Sequence, residues 1–392
     1  MSRCDVIVIG AGIHGCGVAQ GAAAAGHSVH LLEQQFPAHG TSSRSSKLIH
    51  GGLRYLESGQ FHLVAESLAE RSYMLANAPE LVQLKPFYVP LYKDTRRRAW
   101  QLTVGLSLYA VLGRFGRGTS FGFVPRRQWD ALDGLKTEGL RHVFRYYDGQ
   151  TDDAALTRAV LRSAQSLGAQ YEQGAQVYAT ELTDRGVRVS YRYHGKVVDA
   201  EATVVVNATG PWAATVARFV TPALQLPTIE LVQGTHIQVP GQLRQGIYYV
   251  ESPRDGRAVF IMPWHDRTLV GTTETRYRGN PEQVHPLPSE LNYLLYVLRH
   301  YFPAYEGMSA RDLLGSFAGL RVLPAGSGHA FHRPRETVVH ADRELRPRFV
   351  SILGGKLTGW PATSEQVMKR IAASLPMRPA RADTRKLRLE PG

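Results

Sequence analysis

The sequence predicts an α/β protein in which a parallel sheet, extended by an antiparallel meander, is interrupted by an inserted α+β region. Three features carry that reading. The apolar run Asp5-Val-Ile-Val-Ile9 enters Gly10-Ala-Gly12-Ile-His-Gly15, and a stretch of small residues then leads to a second apolar run, Ser28 to Leu32, closed by Glu33. That order is strand, glycine turn, helix, strand, acid, which defines a Rossmann-like nucleotide fold. Gln176 to Val206 alternates apolar and polar residues around turns at Asp184-Arg-Gly186 and His194-Gly-Lys196, which reads as a meander feeding a buried strand, Thr203 to Asn207. Residues 216 to about 315 hold short strand signals, Thr235–Val239, Gly246–Glu251, Ala258–Pro263 and Thr268–Thr273, followed by a helix from Ser289 to His300.

In the glycine turn, Gly10 permits the tight bend, Gly12 lets backbone approach a pyrophosphate, and Gly15 lets helix and sheet pack closely. The helix start offers N–H groups and a positive dipole end to a diphosphate, and Glu33 lies where an adenosine ribose would bond. The fingerprint serves NAD and FAD alike, so the next stretch has to choose. Thr41-Ser-Ser-Arg-Ser-Ser-Lys-Leu-Ile-His-Gly-Gly-Leu-Arg-Tyr-Leu-Glu57 suits a segment running back along a long cofactor. Thr41, Ser42 and Ser45 can reach phosphate or ribitol oxygens, and Gly51-Gly52 lets backbone lie near a flat ring. The alternative is a polar loop rich in helix caps. A helix from about Leu63 to Asn77 follows. Pro86 and Pro90 flank Phe87-Tyr-Val, the first strand of the insertion, and Thr151-Asp-Asp153 caps a helix running to Gly168. The expected division is a nucleotide-binding domain at 1–85, 150–215 and 315–375, a substrate domain at 86–149 and 216–314, and a basic, mobile tail at 376–392.

The block Ser45-Ser-Lys-Leu-Ile-His-Gly-Gly-Leu-Arg-Tyr-Leu-Glu57 resembles the signature of FAD-dependent glycerol-3-phosphate dehydrogenases, within the D-amino-acid-oxidase-like flavoprotein superfamily. Asn207-Ala-Thr-Gly-Pro-Trp212, Gly234-Thr-His236, Gly271-Thr-Thr-Glu274, Gly319-Leu-Arg321 and Gly354-Gly-Lys-Leu-Thr358 resemble further family blocks in the expected order. The resemblance implies non-covalent FAD in an FAD-binding domain. It places Lys47, Leu48, His50, Gly52, Ala208, Gly210, Trp212, Gly355, Lys356, Leu357 and Thr358 beside the cofactor and Val177 near its adenine. His50 then lines the flavin and does not carry it covalently.

By the same resemblance, Arg54, Arg321, Arg333 and Lys356 are the cationic site candidates, and Tyr55, His236 and Thr272 the neutral ones. Guanidinium forks grip phosphate in two-pronged fashion, and lysine acts as a point charge. His236 is the preferred base, kept neutral by neighbouring cations. Arg321 orients the reacting hydroxyl, Arg54 and Arg333 clamp phosphate, and Lys356 serves either role or bonds the flavin. The plainer alternatives are a core histidine at His236 and a solvated arginine at Arg333. Three functions follow: oxidation of glycerol 3-phosphate or a similar small phosphorylated alcohol with quinone as acceptor; oxidation of a 2-hydroxy acid or amino acid; and a non-catalytic flavin-binding module for membrane or nucleic acid.

Composition adds bounds. The 392 residues carry 46 Lys and Arg against 33 Asp and Glu, a net charge of +13 that suggests an acidic partner. The basic residues cluster at Lys93–Arg127 and after Lys369, without the interleaved aromatics of a nucleic-acid surface, so no nucleic acid is expected. Between the first basic groups, Trp100 to Leu112 is too short and mixed to cross a bilayer, but it suits an anionic membrane surface. With Cys4 and Cys16 its only cysteines, no metal-ligand cluster and no convincing secretory signal, the chain is expected in the cytoplasm. The family resemblance implies a peripheral place on the cytoplasmic membrane face, the alternative for Trp100 to Leu112 being a core helix with solvated arginines at its ends. It departs from the family in Val322-Leu-Pro324 after Arg321, in Gly359-Trp-Pro361 after Thr358, and in lacking a helical C-terminal domain.

Overall fold

The computed structural model describes residues 2–325 and 337–392. Its seven helices are α1 (Ile13–Ala24), α2 (Phe61–Asn77), α3 (Ala99–Leu112), α4 (Asp153–Ser166), α5 (Ala213–Ala217), α6 (Pro288–Tyr301) and α7 (Trp360–Ile371) among the described residues. Two sheets of nine and ten strands carry the architecture.

In the first sheet the strand Ser2–Ile9 lies between Val29–Glu33 and Lys196–Asn207, parallel to both. Where the three strands run side by side, residues 6–9, 29–32 and 204–206 are almost wholly apolar and buried, as a sheet covered on both faces requires. The strand Lys196–Asn207 continues the predicted meander through Gly186–Tyr193 to Gln176–Thr183, and its last residues pair in parallel with Phe349–Leu353. Helices α1, α4 and α7 pack their apolar residues with those strands into one core. The glycine turn forms as the sequence predicts: Gly10 has φ +100°, and a Cβ on Gly15 would sit 1.8 Å from the Gly10 carbonyl oxygen. Asp152 caps α4 by accepting from the Ala155 amide at 2.8 Å. Pro361 falls in the first turn of α7, where it displaces no helical hydrogen bond.

The second sheet is mostly antiparallel. Its strand Ile229–Val239 pairs with Arg267–Gly271, Thr275–Tyr277 and Gly315–Pro324. Here the structure departs from the sequence division. Gly315–Pro324 belongs to this sheet throughout its length, because its register with 229–238 is continuous. The predicted boundaries near 85 and 150 fall inside two long paired strands, Val82–Tyr92 and Leu140–Thr151.

The C-terminal segment also differs from the expected mobile tail. The Arg381 amide donates to Ala24 at 2.7 Å, the Leu389 amide to Asn77 at 2.7 Å, and Leu389 is only 2% exposed. Arg385 forms ion pairs with Glu70 and Glu365, joining α2 to α7. Arg385 is thus matched to carboxylates 20 and 315 positions earlier in the chain, which local composition does not reveal.

Candidate active site

A cavity of about 700 Å³ lies along the carboxyl ends of the parallel strands and extends to the second sheet, the usual place for a ligand in such a fold. Its wall runs from Glu33, Gln34, Val177 and Tyr178 past Gly12, Ser42 and Thr209 to His50, Gly52 and Gly354–Thr358. Of the predicted cofactor residues, Gly10, Thr41, Ser45, Leu48, Ala208, Gly210 and Trp212 line it too.

Several of these side chains build the cradle. Glu33 accepts from the Ala11 amide at 2.7 Å and the Gln35 amide at 2.8 Å, so it fixes the glycine turn while facing the cavity. Ser42 Oγ accepts from the Ile13 amide at 2.9 Å, and a Cβ on Gly12 would lie 3.2 Å from that oxygen. Thr41 donates to the Leu320 carbonyl at 2.7 Å, and the His50 amide to Thr358 Oγ1 at 3.2 Å. These bonds tie the 41–50 segment to the second-sheet strand Gly315–Pro324 and to the turn before α7.

Gly15 is not among the lining residues, in keeping with its packing role. Neither is Lys47, which takes a different role from the expected one: its ammonium pairs with the buried Asp153 at 2.6 Å. Ser45 divides its role, donating to the same carboxylate at 2.7 Å while remaining in the wall. His14, to which the sequence assigns no role, also lines the cavity; burial pushes its pKa down to about 4, so its ring is neutral there.

The far end gathers the substrate candidates. Arg54, Tyr55, His236, Thr272, Arg321 and Lys356 all line the cavity; Arg333 falls outside the described residues. Lys356 lies 4.2 Å and Arg54 5.5 Å from the Tyr55 ring centroid. Arg321 donates to Thr272 Oγ1 at 3.1 Å. Both side chains occupy space left by Gly234, whose Cβ would lie 2.5 Å from Thr272 Oγ1 and 2.7 Å from Arg321 Nη2.

His236 stacks on Phe317 at 4.9 Å and is only 2% exposed. Burial, then Arg321 and Lys47, hold its pKa well below the ordinary histidine value, so the ring is neutral. Its Nε2 is 3.0 Å from Ser46 Oγ, and its Nδ1 is buried with no partner among the described residues. Ser46 itself lines the cavity. It stands in the family-like block yet drew no role from sequence, since its partner is 190 residues away. Arg257, paired with Glu274 at 3.0 Å, lines the wall as well.

Among the described residues, this arrangement combines a nucleotide cradle with Arg54, Arg321 and Lys356 at its far end and Arg44 and Arg257 elsewhere in the wall. The sequence profile of the family described as FAD dependent oxidoreductase matches residues 5–359. The chain belongs to that family. The FAD dependent oxidoreductases most similar to it include the aerobic glycerol-3-phosphate dehydrogenase of Escherichia coli, 36% identical over 389 residues, which span 95% of this chain and 74% of that protein. The D-erythritol 1-phosphate dehydrogenase of Brucella abortus is 34% identical over 399 residues, covering 95% and 74%. Among solved structures, the glycerol-3-phosphate dehydrogenase from Bacillus halodurans complexed with FAD superposes with a TM-score of 0.76 at 26% identity, over 99% of this chain and 68% of that one.

Proposed function

We propose that this FAD-dependent enzyme oxidises sn-glycerol 3-phosphate, or a similar small phosphorylated alcohol, to the ketone (dihydroxyacetone phosphate for glycerol 3-phosphate) and passes the electrons to a quinone. The observation that carries the reading is that Arg54, Arg321 and Lys356 share one cavity with the nucleotide cradle. Three cations suit a dianionic phosphate plus a developing alkoxide, whereas one arginine is enough for a carboxylate. The names of the Escherichia coli and Brucella abortus relatives, both dehydrogenases of a phosphorylated polyol, support the same class.

The residues that would hold the cofactor are Gly10, Gly12, Ser42, Glu33 and Val177 at the nucleotide end, and His50, Gly52 and Gly355–Thr358 at the ring end. When bound, the flavin supplies a hydride acceptor. Arg54 binds the phosphate. Arg321, steadied by Thr272, orients the reacting hydroxyl and stabilises negative charge on its oxygen. His236 takes the hydroxyl proton by way of Ser46, whose hydroxyl lies 3.0 Å from its Nε2 in the same cavity wall. Tyr55, braced by Lys356, forms the floor.

The acceptor side of the proposal involves α3. Trp100 is 67% and Phe115 75% exposed, next to Arg98, Arg114 and Arg117. An apolar face edged by arginines fits an anionic membrane surface, where quinone dissolves. No helix among the described residues is long and apolar enough to cross a membrane. Flotation with vesicles of an anionic phospholipid should carry the enzyme, and Trp100→Ser with Phe115→Ser should leave it behind.

A dye-linked assay with glycerol 3-phosphate, erythritol 1-phosphate, glycerol and lactate tests the substrate class. The proposal expects kcat/KM for a phosphorylated alcohol to exceed that for its unphosphorylated parent by at least about a hundredfold, roughly 2.7 kcal/mol. Comparable rates with lactate would overturn it.

A further inference from the structure

The back of the substrate strand is held by one buried carboxylate. Glu290, in the first turn of α6 and 5% exposed, accepts five hydrogen bonds. Its Oε2 receives the Gln233 side-chain amide at 2.6 Å, the Thr235 hydroxyl at 2.6 Å and the Leu287 amide at 3.1 Å. Its Oε1 receives the hydroxyls of Thr273 at 2.8 Å and Thr275 at 2.7 Å. These bonds hold its pKa below the usual glutamate value despite its burial.

The pattern of donors is informative. Along a strand, alternate side chains point to opposite faces. Gln233 and Thr235 reach Glu290, while Gly234 and His236, their neighbours, line the cavity. Thr273 and Thr275 reach it from the segment that begins with the cavity residue Thr272. Thr273 Oγ1 also accepts from the Thr235 amide at 2.9 Å, so the two segments are cross-linked at the carboxylate.

We infer that Glu290 is a positioning residue for the oxidation: by fixing residues 233, 235, 273 and 275 it sets where His236, Thr272 and the Thr272-bonded Arg321 stand over the substrate. This inference rests on the reading of those three as the substrate-end machinery. A mere α6 anchor would need one or two bonds to the sheet; four side chains interleaved with the site residues fix its register and tilt. Errors of about 1 Å in such a site can cost on the order of a hundredfold in rate.

The test uses holoenzyme variants Glu290→Ala, Glu290→Gln, Thr273→Val and Thr273→Ser, with kinetics normalised to bound flavin. Gln keeps an oxygen for the Gln233, Thr235 and Leu287 donors and turns its amide to the Thr273 and Thr275 hydroxyls, which can accept. The expected result is a fall in kcat/KM of at least about tenfold for Glu290→Ala and Thr273→Val, carried by kcat as well as KM, with recovery to within about threefold in Glu290→Gln and Thr273→Ser. If Glu290→Ala does not fold, the Thr273 pair decides alone. Unaltered per-flavin kinetics in Thr273→Val, with only a lower Tm, would overturn the inference and leave a structural anchor. A wild-type enzyme inactive on every phosphorylated alcohol would instead refute the functional reading beneath it, so the two failures are distinguishable.

Discussion

Gly234 offers a way to disturb the site without disturbing the fold. It pairs with Gly319 in the centre of the second sheet. A Cβ there would lie 2.5 Å from Thr272 Oγ1 and 2.7 Å from Arg321 Nη2. Ordinary contact begins at 3.4 Å, so Gly234→Ala must push these atoms outward by about 0.9 Å (3.4 − 2.5) and 0.7 Å (3.4 − 2.7). Both are side-chain atoms, not backbone. The backbone is spared, and removing a glycine restricts the unfolded chain, worth about 0.4–1 kcal/mol in favour of the fold. Stability should therefore change by no more than about 1 kcal/mol. The displaced guanidinium and hydroxyl should cost roughly 10- to 100-fold in kcat/KM, or about 1.4–2.7 kcal/mol. The assay is steady-state turnover per bound flavin, with Tm measured in parallel. Gly307→Ala, where an added Cβ meets nothing within 4 Å, is the control. Turnover of Gly234→Ala within about twofold of wild type would refute the assignment of Arg321 and Thr272 to the reacting end.

Three further outcomes are expected. Arg54→Ala should raise KM for a phosphorylated substrate by roughly tenfold or more and leave turnover of the unphosphorylated alcohol unchanged; equal losses would remove the phosphate clamp. Lys47→Met leaves Asp153 buried without its cation, a change that typically costs about 3–5 kcal/mol; it should lower Tm by several degrees while the folded fraction keeps its flavin, and normal stability with flavin loss would restore Lys47 to the cofactor site. His14 has a folded pKa of about 4 against an ordinary 6.5, the result of burial. Its contribution to stability is complete above pH 6.5 and is lost as pH falls towards 4, because only the unfolded chain takes up the proton there; 2.5 units correspond to about 3 kcal/mol. Tm of wild type should thus fall more steeply over that span than Tm of His14→Asn, and parallel curves would contradict the burial account.

How much of this was legible beforehand depends on how far apart the interacting residues lie. The glycine turn and the meander are local patterns, and the structure forms both as the sequence predicts, with Glu33 lining the cavity at the end of its strand. Gly234-Thr-His236 and Gly319-Leu-Arg321 were recognisable only as family-like blocks, yet they pair side by side because 234 and 319 are register partners. The resemblance places Lys47 beside the cofactor, and nothing local points to its partner Asp153, 106 residues away. The end at 376–392 reads as a mobile tail for the same reason, the carboxylates that hold Arg385 lying on α2 and α7. Glu290 gave no signal at all, since its importance comes from four donors on two other segments. Composition and periodicity report on what a residue is, and burial of a charge in a network reports on what the fold brings to it.

The central claim is that this cavity binds flavin and oxidises a phosphorylated alcohol. The most direct measurement is anaerobic addition of sn-glycerol 3-phosphate to the purified yellow protein while following the flavin band near ~450 nm, an absorbance that belongs to the cofactor itself. Rapid bleaching, absent with glycerol alone, is the predicted result. A band that persists with glycerol 3-phosphate and erythritol 1-phosphate, in protein whose flavin dithionite still reduces, would contradict the account.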